Sequence, residues 1–104
     1  MIVFDKTEFA LGNIKYGDIG KATVNIVNTS NSVVDLAVIS SSCSCTTGLI
    51  KNPKLAPNSS TQFIISLNTT KAGRGMNHVK SIQLNYTLDG KQFSQVFRIK
   101  LNVV

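Results

Sequence analysis

The chain has 104 residues, of which 42% are apolar and 15% charged, and it carries a formal net charge of +6. That length predicts one domain, 1–104, with a core of its own, and the composition is too apolar and too sparsely charged for a disordered segment. No apolar run approaches the roughly 20 residues of a membrane-spanning helix, so no membrane span is expected. The opening MIVFDKTEF has neither the basic n-region nor the apolar stretch of an export signal. A virion or intracellular protein, or a mature exported domain with its signal removed, is therefore expected.

Residues 2–4 and 9–11 are short apolar pieces separated by a charged link, which predicts a first strand that is broken or bulged. GNIKYGDIG, residues 12–20, then places three glycines in nine residues and marks turns. KATVNIVN, residues 21–28, alternates Ala22, Val24 and Ile26 against Thr23 and Asn25, as a strand with one buried face does. After the turn NTSNS, residues 33–40 put Val34, Leu36 and Val38 on one face and Val33, Ala37 and Ile39 on the other. That pattern predicts a strand covered on both sides.

Residues 48–58 contain Pro53 and Pro57, neither of which can donate to a ladder, and read as a loop with a short edge strand near Leu49 and Ile50. Residues 61–67 form a strand with Phe63, Ile65 and Leu67 inward, and NTTKAGRGMN, residues 68–77, reads as a flexible connection. Residues 80–86 alternate with Ile82, Leu84 and Tyr86 inward. Asp89-Gly90 supplies a hairpin turn of the positive-φ type, and the return strand turns Phe93, Phe97, Ile99, Leu101 and Val103 inward. About seven strands without a helical period predict an all-β, immunoglobulin-like antiparallel β-sandwich.

Residues 33–47, VVDLAVISSSCSCTT, hold the only reactive side chains of note, Cys43 and Cys45. In an extended strand the two thiols share a face with Cα atoms about 6.5 to 7 Å apart, the outer limit for a disulfide. The sequence therefore favours reduced, packed thiols. A reversible redox pair would need a lowered thiol pKa, for which Lys51 or Lys54 are candidates. A zinc site would need His78, the only histidine, plus a fourth ligand, or two chains each giving two thiolates. A nucleophilic Cys–His pair has no oxyanion or orienting motif beside it, and His78 reads as a solvent-facing loop residue. The five carboxylates are scattered, so no catalytic residue, metal-ligand set or cofactor is assigned. Asn28, Asn58, Asn68 and Asn85 each begin an N-x-Ser/Thr sequon, which a chain this rich in the three residue types produces by chance.

No acidic residue falls between Asp35 and Asp89, whereas Lys51, Lys54, Lys71, Arg74 and Lys80 all do, which predicts a basic contact surface. Such a surface attracts nucleic acid, anionic lipid or acidic protein. The charges are nevertheless spread singly, without the interleaved aromatics of a single-strand platform, and this argues for a solvated basic face over a nucleic-acid binder.

Five stretches, LGNIKYGDIG, NIVNTSNSVVDLAV, SCSCT, LAPNSSTQFIISL and FRIKLNVV, together resemble a bacterial family of uncharacterised immunoglobulin-like domains marked by a Cys-Gly-Cys-Thr motif. That family is allied in fold to the ASH, Hydin and major sperm protein domains. Ser44 stands where the motif has its central glycine, and Asn58 follows Pro57 where the family more often has glycine; asparagine also visits positive φ. The resemblance implies a non-catalytic module of exported or envelope proteins and of larger assemblies. The function expected is thus a structural or interaction protein that docks through an exposed sheet edge or its basic loops. Its partner would be a larger protein assembly or further copies of itself, with a virion decoration or an envelope-associated component as instances. The alternative is a thiol-redox or metal-binding module centred on the Cys-x-Cys pair.

Overall fold

In the computed structural model, which describes residues 2–41 and 44–104 and the backbone alone of 39 and 40, the N-terminal apolar pieces form two strands in different sheets. β1 (Ile2–Phe4) pairs antiparallel with β3 (Ile19–Asn28), while β2 (Glu8–Ile14) crosses over and pairs parallel with the last strand. The expected break is real, and it is a switch of sheets. β4 (Val34–Ser41), β5 (Thr46–Ile50), β6 (Lys54–Leu55) and β7 (Ser60–Asn68) follow, then a single helical turn α1 (Thr69–Ala72) and the long hairpin β8 (Gly75–Leu88) and β9 (Lys91–Val103). One sheet runs β1-β3-β7-β5 and the other β2-β9-β8-β4-β6. The result is an immunoglobulin-like sandwich of nine strands among the described residues, where about seven were expected; β1 and β6 have three and two residues.

Period-two alternation decides what lies between the sheets. β3 buries Ala22, Val24 and Ile26, β7 buries Phe63, Ile65 and Leu67, and β8 and β9 add Ile82, Leu84, Phe97, Ile99, Leu101 and Val103. Edge-to-face aromatic contacts cross the interior, with Phe97 5.4 Å from both Phe63 and Phe4 between ring centroids. The turn at Asp89 (φ 51°) and Gly90 (φ 75°) has the expected positive pair, and Asn58 adopts φ 58° in the position where the resemblance expects glycine.

Four expectations are corrected. Phe93 is 42% exposed: it stacks on Tyr86 near the turn of the hairpin, 5.3 Å between centroids, so its ring is only partly sheltered. β4 has one covered face, since Val34 and Leu36 are buried whereas Val33 and Ala37 are exposed; a bulge between Val38 and Ser40 then breaks its alternation. The connection 68–77 is structured. Asn68 caps α1 by accepting from the Thr70 amide at 3.0 Å, and β8 begins at Gly75. His78 belongs to β8, opposite Leu101, and is no loop residue.

Two polar side chains that alternation does not single out fix the ends of the sandwich. Asn28, fully buried at the end of β3, donates through Nδ2 to the carbonyls of Ser32, Leu55 and Ala56 and accepts from the Ser30 amide and hydroxyl. At the other end the buried Thr69 hydroxyl donates to the Asp18 carbonyl at 2.6 Å and accepts from the Gly17 amide at 2.9 Å. Each network satisfies main-chain groups that burial would otherwise strand.

Candidate interaction edge

Chain pairing leaves four sheet edges, β1, β5, β2 and β6. Edges invite other strands unless shortness, proline, charge or a bulge discourages them. β1 is three residues long, and β6 is two residues long with Pro53 before it and Pro57 beyond it. β2 carries a bulge between Ala10 and Gly12, with Gly12 at φ 71°. β5 has none of these: its five residues, TTGLI, hold no charge and no proline, and its register with β7 is unbroken from Thr46↔Leu67 to Ile50↔Phe63.

The bonding phase of that ladder says which groups face outward. The Asn68 amide donates to the Cys45 carbonyl at 2.7 Å, and the Lys51 amide donates to the Gln62 carbonyl at 3.1 Å. Odd-numbered positions therefore bond to β7, and the amide and carbonyl of Thr46, Gly48 and Ile50 point away from the sheet. Among the described residues none of these outward groups has a backbone partner beyond the sheet. The side chains alternate the other way. Thr46 is buried, Gly48 and Ile50 are half-buried, and Thr47 and Leu49 face solvent, Leu49 with 62% of its surface exposed.

Gly48 is what allows this edge to lie so close to the core. A Cβ there would stand 2.6 Å from Phe63 Cε1 and 2.9 Å from Ile82 Cδ1, so the aromatic ring occupies the space of the missing side chain.

In the sequence the cysteine pair falls between β4 and β5. Cys43 lies outside the described residues, and with it the first half of the Cys-x-Cys motif. Cys45 is disulfide-bonded and 1% exposed, where the sequence favoured a reduced thiol. The expectation rested on an extended chain, and Ser44 and Cys45 lie in a turn instead. Among the described residues no three His, Cys, Asp or Glu side chains gather as metal ligands would.

The five basic residues are spread over both ends of β7 and into β8. Lys51 and Lys54 stand at the C-terminal end of β5 and in β6, Lys54 opposite Asp35. Lys71 and Arg74 lie beyond the far end of β7, with Arg74 stacked over the Tyr16 ring at 4.7 Å, and Lys80 is half-buried in β8. Seven residues of β7, Gln62 to Asn68, separate the two groups, a span of about 20 Å.

A depression of about 400 Å³ lies over β2, β9 and β8, lined by Ala10, Gly12, Val79, Lys100 and Asn102 among others. His78 contributes to its floor, but the imidazole turns toward Gly75, where a Cβ would lie 2.9 Å from Nε2. Nε2 is buried there without a hydrogen-bond partner among the described residues.

The fold is shared with solved structures of low sequence identity. The ASH/PapD-like domain 7 of human CEP192 superposes with a TM-score of 0.77 at 9% identity, over 99% of this chain and 84% of that one. WR4, a major sperm protein family member from C. elegans, gives 0.64 at 18% identity, over 100% and 98%. The E. coli chaperone DraB gives 0.66 at 11% identity, over 99% of this chain and 55% of its own length. No curated protein matches the sequence. A family model described as a protein of unknown function matches residues 2–103.

Proposed function

The chain belongs to that family, DUF1573, and from this premise we propose that it is a non-enzymatic interaction module that docks onto a larger protein assembly through a sheet edge. The observation that carries the reading is β5, an edge strand with outward main-chain groups, no charge and no bulge. Strand addition needs little more than such a row of donors and acceptors, because main-chain bonds supply the affinity. The likeness of the fold to a chaperone and to an ASH/PapD-like domain supports an interaction role. The partner is sought among the components of a virion shell or of a cell envelope.

The test is recovery of the tagged protein from its source under mild conditions. A stoichiometric protein partner, retained through gel filtration, is the expected result. A chain that elutes alone, or that turns over a small molecule, refutes the proposal.

A further inference from the structure

We propose that the β5 edge takes an extended, acidic segment of a partner protein as an added antiparallel strand, bonded to the main chain of Gly48 and Ile50, with carboxylates at its N-terminal end beside Lys51 and Lys54. The inference rests on the docking-module reading and names the edge, the register and the chemistry of the occupant.

Register follows from the ladder. Gly48 and Ile50, each with an amide and a carbonyl facing outward, define the site, since Thr46 is buried, and antiparallel pairing is the more stable choice per residue. The incoming strand then begins at the Ile50 end and runs past Gly48. Its neighbours are the exposed Thr47 and Leu49 side chains on the outer face, which suit an alternating threonine and valine core.

Charge fixes the occupant. Past Ile50 the chain presents Lys51 and, three residues on, Lys54, within about 10 Å along the backbone. No acidic residue occurs between Asp35 and Asp89 to neutralise that end from the neighbouring sequence, apart from Asp35 itself opposite Lys54. A second copy of this chain would bring another net charge of +6 to the same place, an unfavourable encounter at low salt. A segment entering with carboxylates first has the opposite sign where the edge has its cations.

The probe is a synthetic peptide, acetyl-Glu-Asp-Thr-Val-Thr-Val-Thr-amide, added to the full chain labelled for NMR. With peptide at ten times its Kd, amide exchange of Gly48 and Ile50 is expected to slow about tenfold, while the buried Thr46 and Thr47 and Leu49, already bonded to β7, change little. Replacing the two acids with lysines is expected to weaken binding about tenfold. The variant Lys51→Glu, exposed and outside the Lys54–Asp35 pair, is expected to reverse that preference with the fold intact. Equal binding of both peptides, protection elsewhere, or no binding at about 1 mM overturns the inference. Protection of β5 that appears without peptide, together with a dimer in sedimentation, overturns it in favour of self-pairing. A partner recovered from source whose exchange footprint avoids β5 sinks this inference and leaves the docking-module reading standing; recovery of no partner sinks the module reading itself.

Discussion

Gly48→Ala tests whether the β5 edge is held against the core as described. Gly48 does not have positive φ, so alanine can adopt its backbone. With no obstacle, the loss of freedom in the unfolded chain would stabilise the protein by about 0.4–1 kcal/mol. The new Cβ instead meets Phe63 Cε1 at 2.6 Å and Cζ at 2.9 Å. Phe63 is fully buried and locked edge-to-face on Phe97, so it cannot step aside cheaply, and overpacking of this kind costs about 1–3 kcal/mol. The clash wins, and a net loss of about 1–2 kcal/mol is expected, or a fall in Tm of roughly 4–8 °C per kcal/mol. Urea and thermal unfolding, read by circular dichroism, measure it. In a Phe63→Leu background the ring atoms are gone and Ile82 Cδ1, the end of a flexible side chain, can shift. There the same substitution should be neutral or stabilising, a coupling of about 1–3 kcal/mol. A Gly48→Ala protein as stable as the parent, or equal costs in both backgrounds, refutes the placement of β5.

Asn28→Ala removes the donor that three carbonyls share at the end of β3, and a loss of about 3 kcal/mol is expected in urea unfolding; a change within 0.5 kcal/mol, the range of about an ordinary surface substitution, would contradict the network. Thr69→Val keeps the shape of a fully buried side chain but strands the Gly17 amide and leaves the Asp18 carbonyl only the Thr69 amide at 3.4 Å. About 2 kcal/mol should be lost, and exchange of the Gly17 amide should quicken. Gly90→Ala must hold alanine at φ 75° in the hairpin turn, which costs about 1–2 kcal/mol, whereas Asp89→Asn should leave stability nearly unchanged because asparagine tolerates the same region. A thiol reagent should not label Cys45 in the native, unreduced protein, since the sulfur is bonded and 1% exposed; prompt labelling would show a free thiol.

Most of the interior was legible before any coordinates. Ala22, Val24 and Ile26, then Phe63, Ile65 and Leu67, then Ile82 and Leu84, were all placed inward by a period of two, and all are buried. The same rule failed at Phe93 and along β4. Phe93, near the turn, is sheltered in part by the stacked Tyr86 ring, and in β4 the face of Val33 and Ala37 is left uncovered while a bulge between Val38 and Ser40 ends the alternation. α1 was missed because four residues are too few for a helical period to register, although Asn68 followed by Thr69 and Thr70 is a capping signal in retrospect. The candidate site was half visible: a short edge strand near Leu49 and Ile50 was expected, but neither its outward phase nor the role of Gly48 was. Lys51 and Lys54 stand about 20 Å along β7 from Lys71 and Arg74, a separation that sequence proximity does not give, since it says little about which end of a strand a loop occupies.

By itself, then, the order of residues determined which side chains turn inward and where the chain reverses, as at Asp89-Gly90. Those choices depend on neighbours two to four positions away. Only the tertiary structure decided that β1 and β2 serve different sheets, that β9 takes a parallel partner, and that β5 remains an open edge. Alternation specifies a face and never a neighbour. Partners as far apart as Phe9 and Ile99 are chosen by which closure of the loops lets both sheets bury their apolar faces at once.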